Sequence, residues 1–149
     1  MKYLNEGQFE KENVFGKGAP NDAYARYFIG RSYLNPLTAP EAGILLSNVT
    51  FEPGCRNNWH IHRAQSGGGQ IIICTAGEGW YQEEGKPAVS LVPGTVIAIG
   101  ANVKHWHGAK RIPGSATLPW KFRAKAPRRS GWSRWTARPM KNWNAGRDG

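Results

Sequence analysis

The chain has 149 residues and a net charge of +10, and it contains 19 Gly and 10 Pro against 40% hydrophobic residues. This length and turn-rich composition favour one β domain over a helical bundle. No apolar run approaches the roughly 18 residues that a membrane-spanning helix needs, so the sequence excludes such a helix.

The positive charge is concentrated at the carboxyl end. Residues 1–110 carry ten Lys or Arg and nine Asp or Glu, whereas residues 111–149 carry ten basic residues and one acid. A nucleic-acid partner would therefore depend on residues 111–149 alone and is not expected. The polar N-terminus has no apolar segment typical of a secretory signal. Since Cys55 and Cys74 also lack a CxxC spacing, we expect reduced thiols and a cytoplasmic protein.

In chain order, residues 1–26 are predicted to be an irregular lead-in, residues 27–110 a β domain and residues 111–149 a basic tail. The predicted strands are Tyr27–Ile29, Ser32–Leu34, Ile44–Phe51, Asn58–His62, Gln70–Thr75, Trp80–Glu83, Val89–Leu91, Thr95–Ile99 and Val103–His107. Turn signals rich in Gly and Pro separate them. Short strands at regular spacing predict an all-β sandwich or barrel.

Three histidines and a glutamine form a candidate metal site. His60 and His62 are two residues apart, so on a strand both side chains project from one face. Gln70 begins a later strand, and His105 and His107 share a face of another. In a barrel these side chains can converge, and His60, His62, His105 and Gln70 would suit a borderline divalent metal. A His-x-His pair alone would equally suit surface or core histidines.

The wider spacing resembles that of the cupin family. Five residues separate Gly54 from His60-Ile61-His62, six residues separate Gln70 from Gly77, and Gly94 is followed at the family's distance by His105. The resemblance implies a single cupin (jelly-roll) β-barrel over residues 27–110. It also implies a divalent metal ion (Mn, Fe, Ni or Zn) bound by His60, His62, Gln70 and His105. Gln70 replaces the family's carboxylate ligand, and Asn102 stands where the second motif has Gly.

The runs FEPGCRNNWHIH and VKHWHGA are similar to a bacterial branch with manganese-dependent hydroxynitrile lyases and carboxymuconolactone decarboxylase-associated cupins. That resemblance implies a lyase-like enzyme acting on a small carbonyl or aromatic substrate, and a homo-oligomer (dimer or tetramer). Ser47 and Val49 would line the substrate pocket. His107 would donate or accept protons as a catalytic residue, or pack as a hydrogen-bonded interior histidine.

The tail does not continue the pattern. The branch closes its barrel with a strand similar to Trp-Phe-Ser-His-Leu-Ala-Val, and residues 111–149 show nothing comparable. Codons for residues 111–122 can be chosen so that a shifted reading frame gives Asp-Ser-Trp-Phe-Ser-His-Leu-Ala-Val-Glu-Val. A frameshift near Lys110 therefore accounts for the tail, which we expect to be poorly ordered, leaving the barrel incompletely closed. Thr117 stands where the branch has a histidine expected to act as a base.

Other interpretations of the chain remain open. Interleaved Arg and Trp between Arg128 and Trp135 would suit a nucleic-acid-binding arm. The barrel itself could be a metal-dependent enzyme, a module that binds a small ligand without converting it, or an inactive frameshifted product. Fold-level similarity does not decide among them.

Overall fold

A computed structural model describes residues 6–111 and 120–124 of the chain. The helical elements are α1 (Glu6–Glu12) and two 3₁₀ turns, Asp22–Tyr27 and Pro40–Ala42. The strands are β1 (Ala19–Pro20), β2 (Phe28–Ile29), β3 (Ser32–Pro36), β4 (Ile44–Phe51), β5 (Arg56–Asn57), β6 (His60–Ile61), β7 (Gln70–Ile73), β8 (Gly79–Glu83), β9 (Val89–Leu91), β10 (Val96–Ile99), β11 (Lys104–Ala109) and β12 (Trp120–Ala124). Of the described helices, none is long and apolar enough to cross a membrane.

The strands form two antiparallel sheets. The first has the order β1-β3-β4-β12-β7-β10, and the second has the order β2-β5-β11-β8-β9, with β6 also paired to β11. Backbone pairing does not join one sheet to the other within the described residues. The prediction of an all-β, incompletely closed barrel is confirmed.

The hydrophobic core lies between the two sheets. One cluster joins Val49 and Phe51 of β4 to Cys55 and Ala109, and Ala109 ends β11 of the second sheet. A second cluster among the described residues consists of Ile72, Cys74, Tyr81, Leu91 and Ile99. Because both clusters combine side chains from both sheets, the inward faces meet as in a sandwich. Burying a side chain the size of Phe51 contributes about 1.5–3 kcal/mol.

The N-terminal segment is more regular than the sequence predicts. Residues 1–26 are expected to be irregular, yet α1 and β1 lie within them, and β1 pairs with β3. Phe9 of α1 is only 1% exposed. The Asn48 amide of β4 donates hydrogen bonds to the Asn13 side chain and to the Gly16 carbonyl. A helix of seven residues with a single buried apolar side chain is too short to show the 3.6-residue hydrophobic periodicity of a helix, so the sequence pattern does not predict it.

The expectation that residues 111–149 contain no strand comparable to the closing strand is wrong for Trp120–Ala124. This strand, β12, lies between β4 and β7, pairing with Ile44–Asn48 of β4 and with Ile71 of β7. Its sequence alternates apolar and basic residues, a period of two that suits a strand. Thr117 and the Arg/Trp run from Arg128 lie outside the described residues.

Candidate metal centre

Three histidines meet at one place between the sheets because of how β6 and β11 pair. His60 lies directly opposite His105 in this antiparallel pair, and their ring centroids are 4.2 Å apart. His62 follows two residues later, with its ring 5.0 Å from that of His60 and 5.6 Å from that of His105. One possible ligand nitrogen from each lies within 4.8 Å of the others, and all three side chains are buried. The predicted convergence of these residues is therefore observed.

Backbone carbonyls orient two of the imidazoles. Nδ1 of His60 lies 2.9 Å from the Asn58 carbonyl oxygen, and Nδ1 of His105 lies 3.0 Å from that of Val103. A carbonyl oxygen only accepts hydrogen bonds, so each Nδ1 must carry the proton and donate it. In the neutral ring Nε2 then holds the lone pair, as a metal ligand requires.

Gln70 reaches the same place from the other sheet. Its Oε1 lies 3.1 Å from Nε2 of His105, and the residue is 3% exposed. Because the proton of neutral His105 is on Nδ1, two lone-pair atoms face each other across this distance. A cation bound by both atoms satisfies such an arrangement, so the donor set fits a metal ion.

Two backbone features place Gln70 and His62. Gly69 has φ +96°, and a Cβ at this position would lie 2.2 Å from the carbonyl oxygen of Ile99. Asn102 has φ +67°; its backbone N–H donates to the His62 carbonyl at 2.8 Å, and its amide donates to the Ala64 carbonyl at 2.9 Å. Asn tolerates the left-handed conformation, so Asn102 can replace the glycine of the motif.

One carboxylate, that of Glu83, lies near the histidines, and its charge is stabilised by other side chains. Glu83 lies opposite His105 in the β8–β11 pair, and its carboxylate accepts a hydrogen bond from the Tyr81 hydroxyl at 2.9 Å. Hydrogen bonds from Lys86 and then Tyr81 lower the pKa of Glu83. Burial raises the pKa of Tyr81, so this side chain stays neutral. Glu83 is thus paired with Lys86 and Tyr81 and is not one of the candidate ligands.

The predicted catalytic residue His107 lies beside this cluster, and the predicted substrate residues lie on the face of β4 whose Phe51 contacts His107. The ring of His107 is 6.1 Å from that of His105 and 5.9 Å from that of His60. Phe51 contacts His107 edge-on at 5.8 Å. Val49 is buried on the same face of β4 as Phe51, and Ser47, half-buried, is next along that face. Their roles toward a substrate stay predictions.

Sequence reasoning missed Asn57, which contacts His107 twice. Asn57 Oδ1 accepts a hydrogen bond from the backbone N–H of His107 at 2.9 Å. Its Nδ2 lies 2.9 Å from Nε2 of the His107 ring. In the sequence, Arg56-Asn57-Asn58 is an ordinary polar run. Only the pairing of β5 with β11, with Arg56 opposite Gly108, brings Asn57 to His107.

No family model matches this chain. An (R)-mandelonitrile lyase from Granulicella tundricola is 41% identical over 96 residues, which is 63% of this chain and 70% of that protein. A cupin-like protein from Thermotoga maritima superposes on this chain with a TM-score of 0.65 at 36% identity, covering 76% of this chain and 81% of that chain. This chain is a cupin.

A more distant structure supports the same fold. A predicted oxalate decarboxylase from Thermotoga maritima has a TM-score of 0.60 at 19% identity, over 72% of this cupin and 94% of that chain. At that identity the likeness concerns the fold alone. The 36% and 41% identical relatives confirm the family resemblance inferred from the Gly54–Gly77 motif of this cupin.

Proposed function

We propose that this cupin is a metal-dependent enzyme that carries out lyase-type chemistry on a small carbonyl or aromatic substrate. The observation that carries the proposal is the buried cluster of His60, His62 and His105. The 41% identity to an (R)-mandelonitrile lyase supports a reaction of this class. Manganese, iron, nickel and zinc all suit the imidazole and amide donors.

In this proposal, the four ligands would be the Nε2 atoms of His60 and His105, one nitrogen of His62, and Oε1 of Gln70. A divalent ion bound only by neutral groups would keep its double charge and supply Lewis acidity toward a substrate oxygen or nucleophile. The carbonyls of Asn58 and Val103 keep two of the imidazoles oriented. That orientation reduces the reorganisation needed when the ion binds.

The substrate would occupy the space between the histidines and β4. Val49 and Phe51, which lie in one core cluster with Cys55 and Ala109, would form an apolar wall that excludes water and accommodates a small hydrophobic or aromatic group. Ser47 offers a hydroxyl on the same face of β4. His107, beside two of the proposed ligands, would hold the proton that the reaction moves.

The metal site is tested by metal content. His60→Ala and His105→Ala should each release the metal that the purified chain binds after loading with Mn, Fe, Ni or Zn, because each removes one of four ligands. The matched control is His107→Ala, which removes a neighbouring interior imidazole outside the proposed ligand set. It should retain the metal but lose turnover. Unchanged metal content in both ligand variants would overturn the assignment.

Turnover separates an enzyme from a binding module. The metal-loaded chain should convert small cyanohydrins or their carbonyl counterparts, and chelation should abolish the conversion. A chain with the alternative reading frame restored after Lys110 should be assayed in parallel. Binding of substrate analogues without conversion of any substrate in a broad panel, by both chains, would favour a module that only binds its ligand.

A further inference from the structure

Asn57 is the residue whose contacts define the state of His107. The backbone N–H of His107 can only donate a hydrogen bond, so the Asn57 atom 2.9 Å from it must be the amide oxygen. The NH₂ group of the same amide then faces Nε2 of His107 at 2.9 Å. The two contacts together fix the orientation of an amide that could otherwise be flipped.

This orientation determines where His107 carries its proton. An amide NH₂ group only donates, so Nε2 of His107 must accept with its lone pair. In the neutral imidazole the single proton then resides on Nδ1, which is buried inside the fold.

We propose that Asn57 is a positioning residue that holds His107 in its Nδ1-protonated neutral form, so that His107 offers a bound ligand a hydrogen-bond donor. The inference deepens the proposed function, on which it rests only for the identity of that ligand. The ring of His107 lies beside those of His60 and His105, so a fixed N–H on this ring would stabilise an oxygen or a nucleophile that gains negative charge there. The geometry thus favours ligands that present a hydrogen-bond acceptor beside the cluster.

Asn57 differs from its neighbour in what it contacts. The side chain of Asn58 donates to the Arg26 carbonyl at 3.3 Å. Both asparagines are buried, with 1% and 7% exposure. Asn57→Ala and Asn58→Ala therefore form a matched pair, in which the same atoms are removed at adjacent buried positions and only one change touches the His107 ring.

The experiment measures the protonation of each ring nitrogen in the full-length, ¹⁵N-labelled, metal-free chain by long-range ¹H–¹⁵N NMR. The His107 signals are assigned by their loss in His107→Ala. In the parent chain, Nδ1 should have the shift of a protonated nitrogen and Nε2 that of an unprotonated one. Asn58→Ala should reproduce this pattern. Asn57→Ala should move Nε2 toward the protonated shift, because the donor that held its lone pair is gone.

Two results would overturn the proposal. One is a protonated Nε2 on His107 in the parent chain, a measurement that stands even if Asn57→Ala fails to fold. The other is an Asn57→Ala spectrum that matches the parent, since His107 would then hold its form without Asn57. The measurement needs no metal. A chain that bound no metal would contradict the proposed function, while the NMR result would still decide the role of Asn57.

Discussion

Replacing Gly69 by Ala should damage both the fold and the metal site, because this glycine makes a close backbone approach just before Gln70. The added Cβ would lie 2.2 Å from the carbonyl oxygen of Ile99 and 3.0 Å from the amide nitrogen of Ala101. Both obstacles are backbone atoms, so no side chain can rotate away. Gln70 pairs with Ile99 across β7 and β10, and any relief of the clash would move it.

The size of the effect follows from two contributions. A left-handed backbone costs a residue with a Cβ about 1–2 kcal/mol, and backbone shifts around an added methyl group cost about 1–3 kcal/mol. Gly69→Ala should thus lower the free energy of unfolding by about 2–5 kcal/mol. At about 3 °C for each kcal/mol in a domain of this size, the melting temperature falls by about 6–15 °C.

Gly67 offers a matched control in the same loop. It has φ +58°, and a Cβ there would meet nothing within 4 Å. Gly67→Ala therefore carries only the conformational contribution, about 1–2 kcal/mol. Thermal unfolding of the parent and both variants, followed by circular dichroism with chelator present, isolates the clash as the difference. Equal losses in the two variants would refute the reasoning, as would metal affinity that is unchanged in Gly69→Ala.

Three further predictions concern other parts of the chain. Asn102→Gly keeps the left-handed backbone but loses the bond to Ala64, so urea unfolding should show a loss of about 1 kcal/mol, and Asn102→Ala should lose more. Burial raises the pKa of Cys55 to about 12, so its side chain stays a thiol at pH 8. An aromatic disulfide reagent should therefore label Cys55 slowly until denaturant is added. Fast labelling of the native protein would contradict this. Removing residues 112–149 deletes β12, whereas removing residues 125–149 leaves it in place. The melting temperature of the longer deletion should therefore lie below that of the shorter one, by about 4–8 °C if about 2 kcal/mol of pairing is lost. Equal melting temperatures of the two deletions would show that β12 contributes nothing.

Local sequence patterns predicted the features that depend on periodicity. Ile44–Phe51 was predicted with the bounds of β4, because an apolar run there meets the turn Glu52-Pro53-Gly54. The convergence of His60 and His62 follows from the period of two along a strand, and the cupin spacing added Gln70 and His105. The spacing identified these residues without knowledge of the strand pairing that brings them together.

The missed features depend on pairing between distant segments or on a single contact. The register of β5 against β11 brings Asn57 to His107, and nothing local in the sequence specifies that register. β12 is only five residues long and lies within a strongly basic stretch, so composition concealed its alternation. Asn102 appeared to be a departure from a glycine motif, although its positive φ lets it serve the same backbone conformation.

The candidate ligands are divided between the two sheets. Gln70 belongs to the sheet that contains β4, whereas His60 and His105 belong to the other. An ion bound by this set would fasten the sheets together, and by mass action it would add about 2.7 kcal/mol to the stability at 100 times its dissociation constant. The supply of metal in the surroundings would then govern how long the folded chain survives proteolysis, in addition to whether it is active.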